Sequence, residues 1–355
     1  MDDWTYPTLL ADVGGTQLRF AIAEAPRASP TLVRVLRTAD HRSLDVAAQA
    51  YLAQIGRGAG ESPACSAGRS RSCRPLSAAL AVATPAEPAR LRPVRLTNTD
   101  FEIDGPGLVS SLGLTALWIV NDFEALAWSL PTLSPAELQV IGRTPPTLAA
   151  TMAVIGPGTG MGCAGLLRDT AGWHAVPGEG GHVTLAARTG FEREVLAAAA
   201  DQMGHVSAEK LLSGLGLPLL YRAVATVRGD PAATQPLPEP QEITARAASD
   251  PLSREVVDTF CGLLGGYAGN VALTFGATGG LLIGGGIAAH IAGPLGAGSF
   301  RTRFEDKGRF GEYLSNIGTA RILRAQPALD GLVNALDSAL AGLPVMRPAA
   351  IRTGT

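Results

Sequence analysis

The sequence predicts an α/β protein of two domains, and three observations support this class. Short apolar segments of strand length alternate with longer segments in which apolar residues recur at helical spacing. A strand–turn–strand pattern containing Gly and Thr occurs twice, at 8–25 and at 151–167. A length of 355 residues is more typical of two domains than of one. We therefore expect two α/β halves, each with one such hairpin.

Composition argues against several classes of protein. A net charge of −2 gives no strong attraction to nucleic acid or to membranes, and neither is expected as a partner. No unbroken apolar stretch of about 20 residues occurs, and the N-terminal segment lacks the basic region of a signal peptide. The four cysteines lack the paired spacing of a zinc site. Reduced thiols and a cytoplasmic location are therefore expected.

The first half of the chain has the pattern of a sheet interleaved with helices. Residues 8–25 form two apolar strands around a tight turn at Gly14-Gly15, and 43–55 show helical periodicity after Ser43, a favourable N-cap. Residues 56–76 are rich in Gly, Ser, Arg and Pro without periodicity, so a mobile surface loop is expected. The other predicted elements are a strand at 34–40, a buried strand at 77–85, a strand near 94–98, a helix near 105–113, a strand at 117–120 and a helix from 123.

Beyond Pro131 the pattern begins again with the second hairpin. Laid over the first hairpin, it aligns Gly158-Thr159 with Gly15-Thr16, which is a weak internal repeat. The segment 173–185 is expected to be a Gly-rich loop, and 228–240 a Pro-rich surface loop. The remaining predicted elements are a helix at 191–204, two helices separated by a glycine break in 207–227, a helix at 243–249, a long helix at 253–275, a buried strand within 279–289, a last helix at 329–343 and a frayed tail at 346–355.

The strand–helix junction in LWIVNDFEALAWSL, residues 117–130, is the first candidate site. Asn121 and Asp122 lie where an apolar strand ends and a helix begins. Ligands in open α/β sheets bind outside the carboxyl ends of strands, and a carboxylate there can accept a proton from a substrate hydroxyl. An ordinary helix N-cap explains the same two residues when they are taken alone.

Three Gly-rich turns are candidates for holding phosphate. DVGGT (12–16) and GPGTGMG (156–162) offer successive backbone amides, and a third glycine cluster follows an apolar strand at 284–286. Asp12, at a strand end, can hold Mg²⁺ through water. None of these turns matches GxxxxGK[ST] or GxGxxG, so a nucleotide would be held by backbone amides and loop shape rather than by a lysine.

Two further acidic positions and a histidine are candidates for binding hydroxyl groups. GEGGH (178–182) places Glu179 and His182 three residues apart, and Glu209 follows in SAEKLL. A Glu–His pair without a third ligand is weak evidence for a metal, so hydrogen bonding to hydroxyls fits better. A solvated surface pair, and for Glu209 an acid favoured by the helix dipole, are the alternatives.

The chain resembles bacterial glucokinases of the ATP-dependent, non-ROK type, in the hexokinase/Hsp70/actin superfamily. The resemblance spans nearly the whole length and has its motifs in family order. They are LLADVGGTQLRFAIAE, LTNTDFEI, VNDFEALA, IGPGTGMG, PGEGGHVTL, SAEKLLSGLGL, GGLLIGGGIA and FRTRFEDKGRFGEYL. It implies a two-domain ribonuclease H-like (hexokinase/actin-type) α/β fold with a ligand cleft between the domains. A small domain of residues 1–131 and 328–345 and a large domain of 132–327 are expected.

The resemblance also implies a role for each candidate residue. Asp122 would be the general base for the 6-hydroxyl of glucose, and Asn121, Glu179, His182 and Glu209 would bind sugar hydroxyls. ATP and Mg²⁺ are the implied cofactors and a homodimer the implied assembly. The implied nucleotide contacts are Gly14, Gly15, Thr16, Gly158, Thr159, Gly284, Gly285 and Gly286.

The sequence departs from the family at Gln17, where Asn is common, and lacks the zinc-binding cysteine motif of ROK kinases. A hexokinase of broader sugar range, or one that uses polyphosphate, remains an alternative. A non-catalytic sugar sensor is disfavoured because Asp12 and Asp122 are both present and no helix-turn-helix segment precedes residue 8. A dinucleotide-dependent dehydrogenase fails on the missing GxGxxG.

Overall fold

The computed structural model describes residues 4–56, 74–84, 92–96, 100–339 and 344–347. The chain divides into two compact units: unit 1 comprises Met1–Thr132 and Ala325–Thr355, and unit 2 comprises Leu133–Arg324. Most of the loop predicted at 56–76 lies outside the described residues, as do residues 348–355 of the predicted tail.

The strands of the described residues range from two to eight residues in length. In chain order they are β1 Thr8–Val13, β2 Gln17–Ala23, β3 Thr31–Arg37, β4 Ser77–Val82, β5 Val94–Arg95, β6 Glu102–Ile103, β7 Ala116–Asn121, β8 Leu138–Ile141, β9 Met152–Pro157, β10 Met161–Arg168, β11 Trp173–Gly178, β12 Gly280–Ile283 and β13 Thr319–Ile322.

The α-helices of the same residues range from one turn to seven turns. In chain order they are α1 Leu44–Gln54, α2 Gly105–Leu112, α3 Asp122–Ser129, α4 Gly190–Met203, α5 Ala208–Leu211, α6 Leu217–Arg228, α7 Pro240–Arg246, α8 Pro251–Phe275, α9 Gly286–His290, α10 Ala292–Gly296, α11 Ser299–Glu305, α12 Gly311–Ser315 and α13 Pro327–Ala339.

Unit 1 is built on a five-stranded sheet in the order β3-β2-β1-β4-β7. β1 pairs antiparallel with β2 and parallel with β4, and β4 pairs parallel with β7. The three parallel strands are buried almost throughout, which explains their nearly continuous apolar sequences. Helices α3 and α13 pack closely, because a Cβ added to Gly331 would overlap the carbonyl oxygen of Ala125.

Unit 2 repeats the same arrangement. Its sheet has the order β11-β10-β9-β12-β13-β8, in which β9 pairs antiparallel with β10 and parallel with β12. The first five strands of this order match the five of unit 1 in both order and direction, with β8 added at one edge. The weak repeat of the two Gly/Thr hairpins therefore reflects a repeated sheet topology.

Helix α8 is the centre of the unit 2 core. By length and composition alone it could cross a membrane, but 72% of its most apolar window is buried inside the protein. Its buried side chains belong to the main apolar cluster of unit 2 together with those of β9, β12 and α11. The long apolar helix predicted at 253–275 is thus present as a buried core helix, beginning two residues earlier than expected.

Two local predictions are wrong, one is correct only in part, and several short strands were missed. Residues 173–178 form strand β11 rather than loop, and they were missed because this edge strand has no fully buried residue and shows no apolar alternation. Strands β8 and β13 were not predicted for a related reason, since each spans only four residues. Ser43 occupies the N-cap of α1, but its hydroxyl donates to Asp45 instead of capping the helix. Met346 is not frayed, because it exchanges two backbone hydrogen bonds with Leu117.

Candidate functional site

In unit 1 the predicted residues lie at the carboxyl ends of neighbouring parallel strands. The sheet register pairs Val13 of β1 with Val82 of β4, and Val82 with Asn121 of β7. The turn at 14–16 and the Asn121–Asp122 junction therefore leave the sheet at the same edge. This edge is where ligands bind in open α/β sheets.

The Asn121–Asp122 junction is also a helix cap. Oδ1 of Asn121 accepts hydrogen bonds from the amides of Phe123 at 2.9 Å and Glu124 at 3.4 Å. This cap holds the side chain in place and leaves its Nδ2 group as a donor. Asp122 is the first residue of α3 and is half-buried, with Oδ1 2.9 Å from the Phe123 amide. The capping interpretation is therefore correct for Asn121, and it orients both side chains at the strand end.

The turn after β1 is closed by the Gly14 amide, which donates to the Gln17 carbonyl at 3.0 Å, and it is anchored by a neighbouring segment. The hydroxyl of Thr38 donates to the Gly14 carbonyl at 2.8 Å, and the Thr38 amide donates to the Thr16 carbonyl at 3.1 Å. Gly15 and Thr16 are exposed at the surface of unit 1. Anchoring the carbonyls from one side leaves exposed backbone available to a ligand.

Asp12 has a partner that the sequence reasoning missed. Arg19 lies opposite Asp12 in the β1–β2 register, and its Nη1 donates to Asp12 Oδ2 at 2.9 Å. Nη2 of the same guanidinium donates to the Gln17 side chain at 2.8 Å. Burial raises the pKa of Asp12, and the adjacent Arg19 opposes that rise. The hairpin pattern could have indicated this pair, since two antiparallel strands joined at Gly14-Gly15 place residues 12 and 19 opposite each other.

In unit 2 two Gly-rich turns are neighbours. β9 and β12 pair in parallel, with Ile155 opposite Ile283, so Gly158-Thr159 and Gly284–Gly286 follow adjacent strand ends. Gly285 has a φ of +85°, and a Cβ there would overlap the Pro157 carbonyl. Glycine is therefore required at Gly285, both for its backbone conformation and for the close approach of the two turns.

Glu179, His182 and Glu209 form one cluster in unit 2. Nε2 of His182 lies 3.8 Å from Oε2 of Glu179, and Nδ1 lies 3.9 Å from Oε1 of Glu209. The side chains of Glu179 and His182 are 68% and 60% exposed, and that of Glu209 is 36% exposed. Both distances are longer than a hydrogen bond, so the imidazole is not hydrogen-bonded to either carboxylate at these atoms.

The second carboxylate oxygen of Glu209 accepts a hydrogen bond from within the protein. Oε2 accepts a hydrogen bond from the backbone amide of Met161 at 2.9 Å. Gly160 and Met161 belong to the GPGTGMG turn, and neither was predicted as a site residue. No sequence signal links Met161 to Glu209, because 48 residues separate them.

The structure thus sorts the predicted residues into two sets. Unit 1 carries Asp12, Gly14–Thr16, Asn121 and Asp122, and unit 2 carries the remaining glycines, Thr159 and the Glu179–His182–Glu209 cluster. Across the described ranges, no three or more His, Cys, Asp or Glu side chains are grouped so as to hold a metal ion. Of the cysteines in those ranges, Cys163 and Cys261 are free and buried.

Comparison with known proteins shows what the chain is similar to. A family model described as Glucokinase matches residues 9–339. A curated glucokinase from Aromatoleum aromaticum is 46% identical over 340 residues, covering 95% of this chain and 97% of that protein. The crystal structure of a glucokinase from an Antarctic psychrotroph has a TM-score of 0.77 at 30% identity, covering 93% of this chain and 98% of that one.

A more distant structure is similar in fold. The ROK family glucokinase from Streptomyces griseus, solved with glucose and AMPPNP, has a TM-score of 0.57 at 19% identity and covers 95% of this chain and all of that one (100%). Both structures share the two-unit α/β architecture described above.

Proposed function

This chain belongs to the glucokinase family, and from that premise we infer that it transfers the terminal phosphoryl group of ATP to the 6-hydroxyl of glucose. The family match over residues 9–339 is the observation that carries this conclusion. The fold agrees with it, since the chain has the two-domain ribonuclease H-like (hexokinase/actin-type) architecture of sugar kinases.

We assign the general base to Asp122. Its support is its position at the carboxyl end of β7, half-buried, at the start of α3. A carboxylate there can accept the proton of the 6-hydroxyl as that oxygen attacks phosphorus. General-base catalysis of this kind contributes about 10²–10⁴-fold to rate. Asn121, held by its cap, would donate its Nδ2 group to a sugar hydroxyl.

The glucose ligands in unit 2 would be Glu179, His182 and Glu209. The carboxylates accept from sugar hydroxyls, while the imidazole can donate or accept. Their mutual distances of 3.8 Å and 3.9 Å support this assignment, because a strongly bonded cluster would have less capacity for a ligand.

Nucleotide contacts are assigned to the turns at 14–16, 158–159 and 284–286. In unit 2 the fit is supported by Gly285, where a Cβ would fill the space beside Pro157. The amides of Gly14, Gly158 and Gly284 donate to carbonyls within the protein. The amides assigned to phosphate oxygens are therefore the others in these turns, and they take the place of a lysine. The Streptomyces griseus relative binds AMPPNP, which supports ATP as the donor.

Asp12 fits a magnesium ion held through water. It is a single carboxylate at a strand end, and Mg²⁺ is commonly bound by one or two carboxylates together with substrate phosphates. Bound Mg²⁺ would neutralise charge on the transferred phosphoryl group. Arg19, fixed by Asp12 and Gln17, keeps that carboxylate in one orientation.

The protein is also proposed to be a cytoplasmic homodimer. Light scattering of the purified protein would test the dimer.

The decisive experiment separates the two aspartates. Asp122→Asn keeps the side-chain shape but removes the base, so turnover should fall by about 10²-fold or more while glucose still binds by calorimetry. Asp12→Asn should also lose turnover, keep its glucose affinity and need more Mg²⁺. Asp201→Asn, on the exposed surface of α4, is the matched control and should leave turnover unchanged. Turnover of Asp122→Asn within a few-fold of wild type would remove the base assignment.

The choice of donor and sugar is tested in the same coupled assay. ATP and polyphosphate are compared as donors, and glucose, mannose and fructose as acceptors. Turnover with ATP and glucose far above the other combinations is expected. Turnover with polyphosphate alone, or equal turnover of all three sugars, would favour the alternative kinases.

A further inference from the structure

Met161 joins the predicted nucleotide turn to the predicted glucose site. Its amide donates to Oε2 of Glu209 at 2.9 Å. Its carbonyl lies so close to Gly181 that a Cβ added to Gly181 would overlap it. One residue of the GPGTGMG turn therefore contacts both the GEGGH loop and the acid that follows it in SAEKLL.

Gly160 is a glycine for reasons of space. Its backbone does not have a positive φ, so its conformation is open to any residue. A Cβ there would nevertheless overlap Oε2 of Glu209 and lie 3.2 Å from its carboxyl carbon. The absence of a side chain at Gly160 thus leaves the space in which the Glu209 carboxylate sits.

The backbone around this contact is fixed from several sides. The segment 206–208 pairs with 183–185, since the Ala208 amide donates to Val183 and the Leu185 amide donates to Val206, each at 3.0 Å. The Gly214 amide donates to the Gly158 carbonyl at 2.7 Å. With both backbones held, the direction of the Glu209 side chain depends on the Met161 amide and on the space at Gly160.

We propose that Gly160 and the Met161 amide position Glu209, and that this hydrogen bond couples glucose binding to nucleotide binding. The inference rests on the proposed roles of Glu209 and of the turn at 158–159. Oε2 is held by the Met161 amide, which leaves Oε1 to accept from a sugar hydroxyl. A hydroxyl bound to Oε1 restrains the carboxylate, and the carboxylate in turn restrains the Met161 amide and its turn.

Such coupling must be reciprocal. Glucose should lower the Kd of AMPPNP, and AMPPNP should lower the Kd of glucose by the same factor.

The test compares three variants: Gly160→Ala, Glu209→Ala and the double variant. In Gly160→Ala the KM for glucose should rise about tenfold, which is the loss in affinity expected when one charge-assisted hydrogen bond is weakened. The kcat should change less. Glucose should then no longer lower the Kd of AMPPNP.

The double variant distinguishes positioning from a disturbed turn. With Ala at 209 there is no carboxylate for the new Cβ to displace, so adding Gly160→Ala to Glu209→Ala should leave the glucose KM unchanged. Glu209→Gln keeps an oxygen that can accept from the Met161 amide and should retain the coupling. Gly178→Ala is the control, because it adds the same methyl group beside the same loop with nothing within 4 Å.

Two results would overturn the inference. One is an unchanged glucose KM in Gly160→Ala, and the other is the same increase in both backgrounds, which would mean that the methyl group acts on the turn itself. A wild-type protein that does not phosphorylate glucose would instead overturn the proposed function, so the two failures are distinguishable.

Discussion

His182 lies between two carboxylates, 3.8 Å from Glu179 and 3.9 Å from Glu209. At the scale of single residues the family resemblance grouped Glu179, His182 and Glu209 as candidate sugar ligands, and the structure places these three side chains in one cluster. The partners of Asp12 and Glu209, Arg19 and the Met161 amide, became visible only with the register of the strands and the packing of the turns.

We expect His182→Ala to raise the KM for glucose about tenfold or more and to leave the KM for ATP within about twofold. A site built to hydrogen-bond hydroxyls loses affinity when one of its polar groups is removed. His174→Ala is the matched control, since His174 is an exposed histidine 3.2 Å from Asp169 and outside the cluster. Equal changes in both KM values, measured in the coupled assay, would make His182 structural.

Glu137 predicts a pH dependence of stability. Hydrogen bonds from Arg324, and then from Ser134, lower the pKa of Glu137 from 4.5 to about 2. Because the folded-state pKa is depressed, this contribution is present above about pH 4.5 and is lost as the pH falls toward 2. In urea titrations, the free energy of unfolding of Glu137→Gln should therefore fall less across this pH range than that of the wild-type protein.

Arg324→Gln tests the cause of the Glu137 shift. Both Arg324 Nε and Nη2 donate to the Glu137 carboxylate, at 2.6 and 2.7 Å. Removing them should change the pH dependence in the same direction as Glu137→Gln. A pH dependence like that of the wild-type protein in both variants would contradict the assignment.

At the scale of elements, helices α3 and α13 pack so closely that no side chain fits between them at Gly331. A Cβ on Gly331 would overlap the Ala125 carbonyl, and Asn334 donates to the Trp128 carbonyl at 2.8 Å. The apolar spacing of each helix predicted its existence, but no pattern within one helix identifies the helix that packs against it. Strand β11 could not be predicted from its own sequence for a similar reason, since it is defined by its pairing with β10.

Gly331→Ala should lower the free energy of unfolding by about 1–3 kcal/mol, because added methyl groups in close-packed contacts force the backbone to shift. Gly293→Ala is the matched control within a helix. Nothing lies within 4 Å of a Cβ at Gly293. The control should therefore be neutral or stabilising by up to about 1 kcal/mol, from helix preference alone. Thermal unfolding of both variants should show shifts of opposite sign, or a shift in Gly331→Ala only; equal shifts would contradict the packing argument.

The whole molecule uses one strand order twice, β3-β2-β1-β4-β7 in unit 1 and β11-β10-β9-β12-β13 in unit 2. Gly-rich turns follow β1 in unit 1 and β9 and β12 in unit 2, and each unit adds its own polar side chains. The residues proposed to bind glucose and nucleotide therefore include members of each unit.

We expect glucose at 100 times its Kd to stabilise the folded protein by about 2.7 kcal/mol and to raise the thermal midpoint accordingly. A glucose analogue lacking the 6-hydroxyl should also raise the midpoint, since the other hydroxyls remain, but it should support no turnover. Asp122→Asn with glucose is the control and should show the wild-type shift. An unchanged midpoint at saturating glucose would contradict the proposed binding site.

The sequence alone determined most of the longer elements, the two hairpins and the list of candidate site residues, because these depend on local periodicity, turn residues and motif order. The tertiary structure decided which residues meet. Parallel pairing aligned Val13, Val82 and Asn121, and packing brought Gly160 against Glu209. Contacts between residues far apart in the chain depend on strand register and close packing, and neither leaves a periodic signal in the local sequence.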